Sequence, residues 1–145
     1  TDNAIFGFAS FGGVTSLVIA SNPEKSGIID IKTARAMAKL ISFCDSFSIP
    51  VLTLVDSIGL DVSLEAEKAA YASELARLAY AYTSSTNAKV TVVVGKAYGA
   101  AFTAMAGKAS GSDIVLALAD AEICALEPIP TQTSTSGISS VTSSL

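Results

Sequence analysis

The sequence predicts an α/β domain with mainly parallel strand pairing. Two observations carry that prediction. Short β-branched runs such as "VLTLVD" and "KVTVVV" alternate with segments whose apolar residues recur at helical spacing. Strands separated by helices must pair through crossovers, which makes their neighbours parallel. At 145 residues the chain is long enough to bury one real core.

Taken in order, Phe6 to Phe11 and Val14 to Ala20 are predicted strands joined by a hairpin turn at Gly12-Gly13. The polar loop "SNPEKSG" leads to the helical segment "DIKTARAMAKLISFCDSF". There Ala34, Met37, Ile41 and Cys44 share one face, with Leu40 beside them. Pro50 cannot continue that helix and opens "VLTLVD", a continuous apolar run expected to be covered on both faces. The loop "SIGLDVSLE" precedes a predicted Ala-rich helix over 64–83, with Leu75, Leu78, Ala79 and Tyr82 on its buried side. "KVTVVV" is the next buried strand, "AAFTAMAGKA" the next helix, and "DIVLAL" and "AEICAL" are two short strands around Asp120. This organisation places a domain over residues 1–128. Residues 129–145 form a Ser/Thr-rich tail with little apolar patterning, expected to be mobile or atypical.

Composition narrows the function. Half of the residues are hydrophobic and 15% are charged, against about a quarter charged in a typical soluble domain. The surplus apolar surface points to self-association or to membership of a larger assembly. A net charge of −4 with scattered basic residues argues against a nucleic-acid surface. No apolar run approaches the length of a membrane span, and no signal-peptide pattern opens the chain, so a cytoplasmic location is expected. The chain starts at Thr1 without Met, which leaves room for an upstream segment. Cys44 and Cys124 lie in apolar surroundings and are expected to be buried free thiols. The lack of histidine, with only two cysteines, speaks against a structural zinc site.

Several motifs fail on inspection. Gly95-Lys96 resembles the end of a phosphate loop, but Val90 and Ala97 stand where that loop needs Gly and Ser or Thr. No G-x-G-x-x-G follows a predicted strand. Without an imidazole, Ser57 and Ser110 have no partner for triad chemistry. Asp56, Asp61, Glu122 and Glu127 leave acid–base chemistry open, although exposed acids and helix caps account for such residues more often. Asp56 stands out because ligands bind at the carboxyl ends of strands in open α/β sheets.

The turn Tyr98-Gly99-Ala100-Ala101 offers a different chemistry. A helix predicted directly after a strand leaves its first N–H groups without intrahelical acceptors, at the positive end of the helix dipole. Small side chains let a ligand oxygen approach those amides, which makes an oxyanion hole with no ionisable group. Close packing of helix on sheet is the commoner reason for the same small residues. The loop Ser57-Ile58-Gly59 also follows a strand and could line the same crevice.

"LISFCDSFSIPVLTLVDSIGL", "ELARLAYAYTSSTNAKVTVVVGKAYGAAFTAM" and "GSDIVLALADAEICAL" resemble the C-terminal domain of the carboxyltransferase subunit of biotin-dependent acyl-CoA carboxylases and decarboxylases. The resemblance spans roughly residues 5–127 and rests on the Phe-Cys-Asp, Ile-Pro, Val-Asp-x-x-Gly and Lys-Ala-Tyr-Gly pieces together. It implies a crotonase-like fold of ββα units in a superhelix. It implies carboxyl transfer between biotin, on a separate biotin carboxyl carrier protein, and an acyl-CoA. The backbone amides of Ala100 and Ala101 would then hold the ureido oxygen of biotin, with Tyr98, Gly99, Ser57, Ile58 and Gly59 around the cofactor. Such a half-site needs an N-terminal carboxyltransferase domain or subunit to stabilise the enolate, and it works in a homo- or hetero-oligomer.

This sequence departs from the family in two places. Ala100 stands where Gly is common, and "VDSIG" lacks the usual Pro. A non-catalytic assembly module and a crotonase-type hydratase or isomerase are the competing readings. The latter needs an acid near the oxyanion turn that the sequence does not place.

Overall fold

The computed structural model describes residues 2–25, 27–60, 71–99 and 111–125. The predicted helix over 100–109 and the tail over 129–145 lie outside these residues. So does the first part, 64–70, of the predicted Ala-rich helix.

Strands β1 (Ala4–Phe11) and β2 (Val14–Ser21) form the expected antiparallel hairpin, with Phe11 opposite Val14 across the Gly12-Gly13 turn. Helix α1 (Ile31–Ser46) starts where Asp30 Oδ1 accepts the Thr33 N–H at 2.8 Å, a side-chain cap on an otherwise orphaned donor. It stops before Pro50, and the Ile49 N–H closes back onto the Cys44 carbonyl at 2.9 Å. Ala34, Met37, Ile41 and Cys44 are all sealed in the core, as their spacing predicts. Strand β3 (Val51–Ser57) follows, then helix α2 (Tyr71–Ser84) and strand β4 (Lys89–Tyr98). Leu78 and Tyr82 of α2 are fully buried; Leu75 and Ala79 are only half-buried, while Tyr71 and Ala81 pack deeper. Strands β5 (Ile114–Ala117) and β6 (Glu122–Cys124) complete the sheet.

The sheet runs β1-β2-β3-β4-β5, with β6 also paired to β4, and every pairing after the hairpin is parallel. Both crossovers, β2–α1–β3 and β3–α2–β4, step in the same direction along the sheet. Right-handed connections therefore lay α1 and α2 on one face. Leu17, Ile19, Val51, Val55 and Val93 point into that shared core.

This geometry corrects the expectation that "VLTLVD" is covered on both sides. Burial along β3 alternates strictly, and its register partners follow the same rhythm. Leu52, Leu54, Val90 and Val92 on the second face are half-buried, and Ile114 and Leu116 beside them are exposed. The apolar run measures the capacity to be covered; the direction of the crossovers decides which side is. Cys124 is a second correction. Cys44 is buried and burial pushes its thiol pKa up, but Cys124 is exposed on the short outer strand β6.

Candidate functional site

The candidate site sits at the C-terminal edge of the sheet, where β3 and β4 end side by side. The ladder between them is regular up to Val55 opposite Val93, then resumes with Ser57 opposite Ala97. One residue of β3 thus faces three of β4, a bulge that bends the longer strand. Asp56 holds this irregularity open, because its Oδ1 accepts the Lys96 N–H at 2.9 Å where the ladder has no partner to offer. Its carboxylate also lies flat over Gly95, so a Cβ at 95 would sit 2.6–2.8 Å from the carboxylate atoms. Asp56 is therefore a backbone ligand within β3, which is what its place on the strand had left open.

Beyond the bulge, β4 runs four residues further than "KVTVVV" and exchanges neighbours, leaving β5 for β6. Lys96, Ala97 and Tyr98 pair with Glu122, Ile123 and Cys124. The Tyr98 hydroxyl donates a short hydrogen bond to Glu122 Oε2, which ties the two strand ends together through their side chains. Gly99 follows with φ +64°, a conformation costly for any residue with a Cβ, and lies against the Ala125 carbonyl. The backbone therefore enters the left-handed region at the residue the sequence marks. Ala100 and Ala101 themselves lie outside the described residues, as do Asp61 and Glu127.

The neighbouring loop is built around Ser57. Its hydroxyl is buried, donates to the Gly27 carbonyl at 2.7 Å, and meets the Gly59 carbonyl and N–H at 3.3 Å each. The Ile29–Leu60 bridge and the bond from the Ile29 N–H to the Gly59 carbonyl, at 3.3 Å, complete the loop's frame. Ser57 thus shapes the loop from within, while Gly59 stands beside open space. Since Ser57 is opposite Ala97, the structure brings Ser57, Ile58 and Gly59 to the same sheet edge as Tyr98 and Gly99.

Three residues take roles at this edge that the sequence did not assign to them. Gly27 packs so closely on β3 that a Cβ would fall 1.9 Å from the Asp56 carbonyl oxygen. Gly95 makes room for the Asp56 carboxylate, and Glu122 receives the Tyr98 hydroxyl. The only sequence signal for the two glycines is that each sits where a strand or helix is about to begin or bend.

The arrangement suits an anionic or carbonyl oxygen more than a proton relay. Among the described residues, the acids at this edge are committed to hydrogen bonds with the chain itself, Asp56 to a main-chain N–H and Glu122 to a phenol. The turn, by contrast, is shaped by glycine and by strand geometry.

A model of the carboxyl transferase domain matches residues 1–134. The methylmalonyl-CoA decarboxylase subunit alpha of Propionigenium modestum is 39% identical over 127 residues, covering 87% of this chain and 25% of that protein. The propionyl-CoA carboxylase beta chain of Cereibacter sphaeroides is 39% identical over 125 residues, covering 86% of this chain and 24% of that protein. Among solved structures, transcarboxylase 12S with methylmalonyl-coenzyme A and methylmalonic acid bound superposes with a TM-score of 0.83 at 36% identity, over 86% of this chain and 24% of that one. The beta subunit of geranyl-CoA carboxylase from P. aeruginosa shares the fold with a TM-score of 0.80 at 24% identity, over 86% of this chain and 23% of that one. This chain spans about a quarter of the length of the curated relatives it matches.

Proposed function

Because this chain belongs to the carboxyl transferase domain family, we propose that it is the biotin-side half-site of an acyl-CoA carboxyltransferase. The observation that carries this reading is the backbone turn at Tyr98-Gly99, set beside the Ser57-Ile58-Gly59 loop by a bulge that Asp56 holds. Among the described residues, the acids at that edge are bonded to the chain itself and no residue crowds the Cβ position of Gly59, which suits a neutral bicyclic urea.

When biotin is bound on its carrier, transfer of its carboxyl group leaves negative charge on the ureido oxygen. The N–H groups of Ala100 and Ala101 would stabilise that charge as an oxyanion hole. Gly99, with φ +64°, would let the backbone bend into that arrangement. Tyr98, anchored on Glu122, keeps the strand end from fraying. Ile58 and Gly59 form the facing wall beside the ring, in a loop that Ser57 braces from within. A separate N-terminal domain or subunit supplies the enolate-stabilising half and most of the CoA contacts, so the isolated chain is inactive.

The test is transfer of labelled carboxyl between biotin and propionyl-CoA or methylmalonyl-CoA by the assembled enzyme that contains this chain. Ala101→Pro removes one amide donor, and the expected loss in kcat is on the order of a hundredfold or more. An unchanged kcat in a correctly folded Ala101→Pro enzyme would refute the oxyanion role.

A further inference from the structure

The outer faces of α1 and α2 carry a groove that carboxyl transfer does not use. Both helices return antiparallel to the parallel strands β2, β3 and β4, so they lie side by side and point the same way. Where they meet, Ala38 and Ala81 are buried and small, which keeps the floor between the helical ridges low. The result is a cavity of about 410 Å³ whose walls include Arg35, Lys39, Arg77 and Tyr80.

Its charge is unlike that of the rest of the chain. The protein has a net charge of −4 and nine basic residues, yet Lys32, Arg35, Lys39 and Arg77 all project from these two helices. The helices carry two acids. Asp45 is engaged by Thr86 and Asn87. Glu74 lies between two guanidinium groups, with Oε1 2.8 Å from Arg35 and Oε2 3.7 Å from Arg77. Glu74 shows how the groove receives a carboxylate, and it neutralises only one of the positive charges. Among the described residues, Lys39 makes no ion pair.

Aromatic surface continues the groove. Phe43 lies one turn beyond Lys39 on α1, and Phe47 lies one turn further. Their rings are 4.8 Å apart and are 50% and 64% exposed. Tyr80 on the opposite wall is 73% exposed. Arginine with exposed Phe and Tyr is the composition of an interface core rather than of a free surface.

We propose that this groove is a docking surface for an acidic amphipathic helix of a protein partner. The charge selects the sign of the partner. The aromatic stretch selects a ligand with apolar side chains over a bare anion, since cations this exposed are screened by salt. The walls favour a helix, because the backbone N–H groups of α1 and α2 are used internally and offer no ladder to an extended peptide. A third helix can lay its ridge between the two, with carboxylates at i and i+4 facing Arg35, Lys39 and Arg77. Apolar residues one to two turns further along would meet Phe43, Phe47 and Tyr80.

The experiment uses the full chain and two designed helical peptides as long as α1, one with Glu and Leu at alternating helical positions, the other with Lys replacing each Glu. Fluorescence anisotropy should show binding of the Glu peptide alone. Raising the salt from low to molar concentration should weaken that binding by about tenfold or more. The double variant Lys39→Glu, Arg77→Glu and the single variant Phe43→Ser should each weaken it by at least about tenfold, with unchanged circular dichroism. Equal binding of both peptides, or no binding, overturns the proposal. Displacement of the Glu peptide by millimolar pyrophosphate would assign the groove to a small anion and overturn it too. Self-association that the same variants abolish would assign it to a second copy, with the same consequence.

Discussion

The two edges of the sheet use one device for opposite ends. At the N-terminal edge, side chains bind main-chain groups to close the structure. Asp45 Oδ1 accepts from the Thr86 N–H at 2.6 Å, the Thr86 hydroxyl at 3.1 Å and the Asn87 N–H at 3.3 Å, which fixes the turn into β4. Asp113 Oδ2 accepts the Lys89 N–H at 2.8 Å. The buried Lys89 ammonium meets its three donor requirements on the Ser85 carbonyl and hydroxyl and the Asn87 carbonyl, at 2.7, 3.0 and 3.1 Å. At the C-terminal edge, Asp56 binds a main-chain N–H to keep β4 out of register, and Ser57 binds carbonyls to hold a loop open. The first edge is a lock, and the second maintains an irregularity. That division suits a fold whose ligands approach the carboxyl ends of the strands.

Substitutions at each edge should break this contrast in different ways. The largest effect belongs to Gly27→Ala. Its Cβ would collide with the Asp56 carbonyl at 1.9 Å, and φ is +59°. A destabilisation of about 4 kcal/mol or more is expected by urea unfolding, enough to unfold a marginal domain. Lys89→Ala should come next. It leaves the buried Ser85 and Asn87 carbonyls without their donor, a cost of about 2 kcal/mol in the same assay. It should leave the proposed carboxyl transfer, per folded molecule, unchanged.

Tyr98→Phe reverses that pattern. Losing the bond to Glu122 should cost only about 1 kcal/mol of stability, yet kcat for the proposed transfer should fall, since the turn loses its anchor. A Tyr98→Phe enzyme as fast as wild type would remove the mechanical link between β6 and the turn. The smallest effect is a pH dependence. Hydrogen bonds, first from the Thr86 N–H, hold the Asp45 carboxyl below its usual pKa. Its contribution is therefore present at neutral pH, above the unfolded value of about 3.9, and is lost as pH falls through the lower folded value. Between about pH 5 and pH 3, wild-type stability should fall more steeply than that of Asp45→Asn.

Much of the fold was legible in the residues. The spacing of Ala34, Met37, Ile41 and Cys44 located a helix face because burial on a helix repeats locally. Pro50 and the Gly12-Gly13 turn set boundaries through backbone chemistry alone. The sidedness of the sheet was not legible. Leu52 and Val55 look alike in sequence, and only the direction of two crossovers separates them. Exposure of Cys124 escaped for the same reason, since an apolar neighbourhood in sequence need not lie beneath another layer.

At the site, the turn at Gly99 was marked by its small residues and by family resemblance. The bulge that positions it was hidden, because it depends on a hydrogen bond between residues 40 positions apart. The need for glycine at 27 likewise depends on Asp56, far along the chain.

The contrast between the two cysteines has a practical outcome. Cys44 is sealed on the inner face of α1, while Cys124 is exposed and sits opposite Tyr98 in the strand register. A maleimide dye should therefore label one position without mutagenesis, at the strand that braces the turn. Its quenching or its rate of attachment would report any ligand that reaches the turn, in real time and independently of turnover.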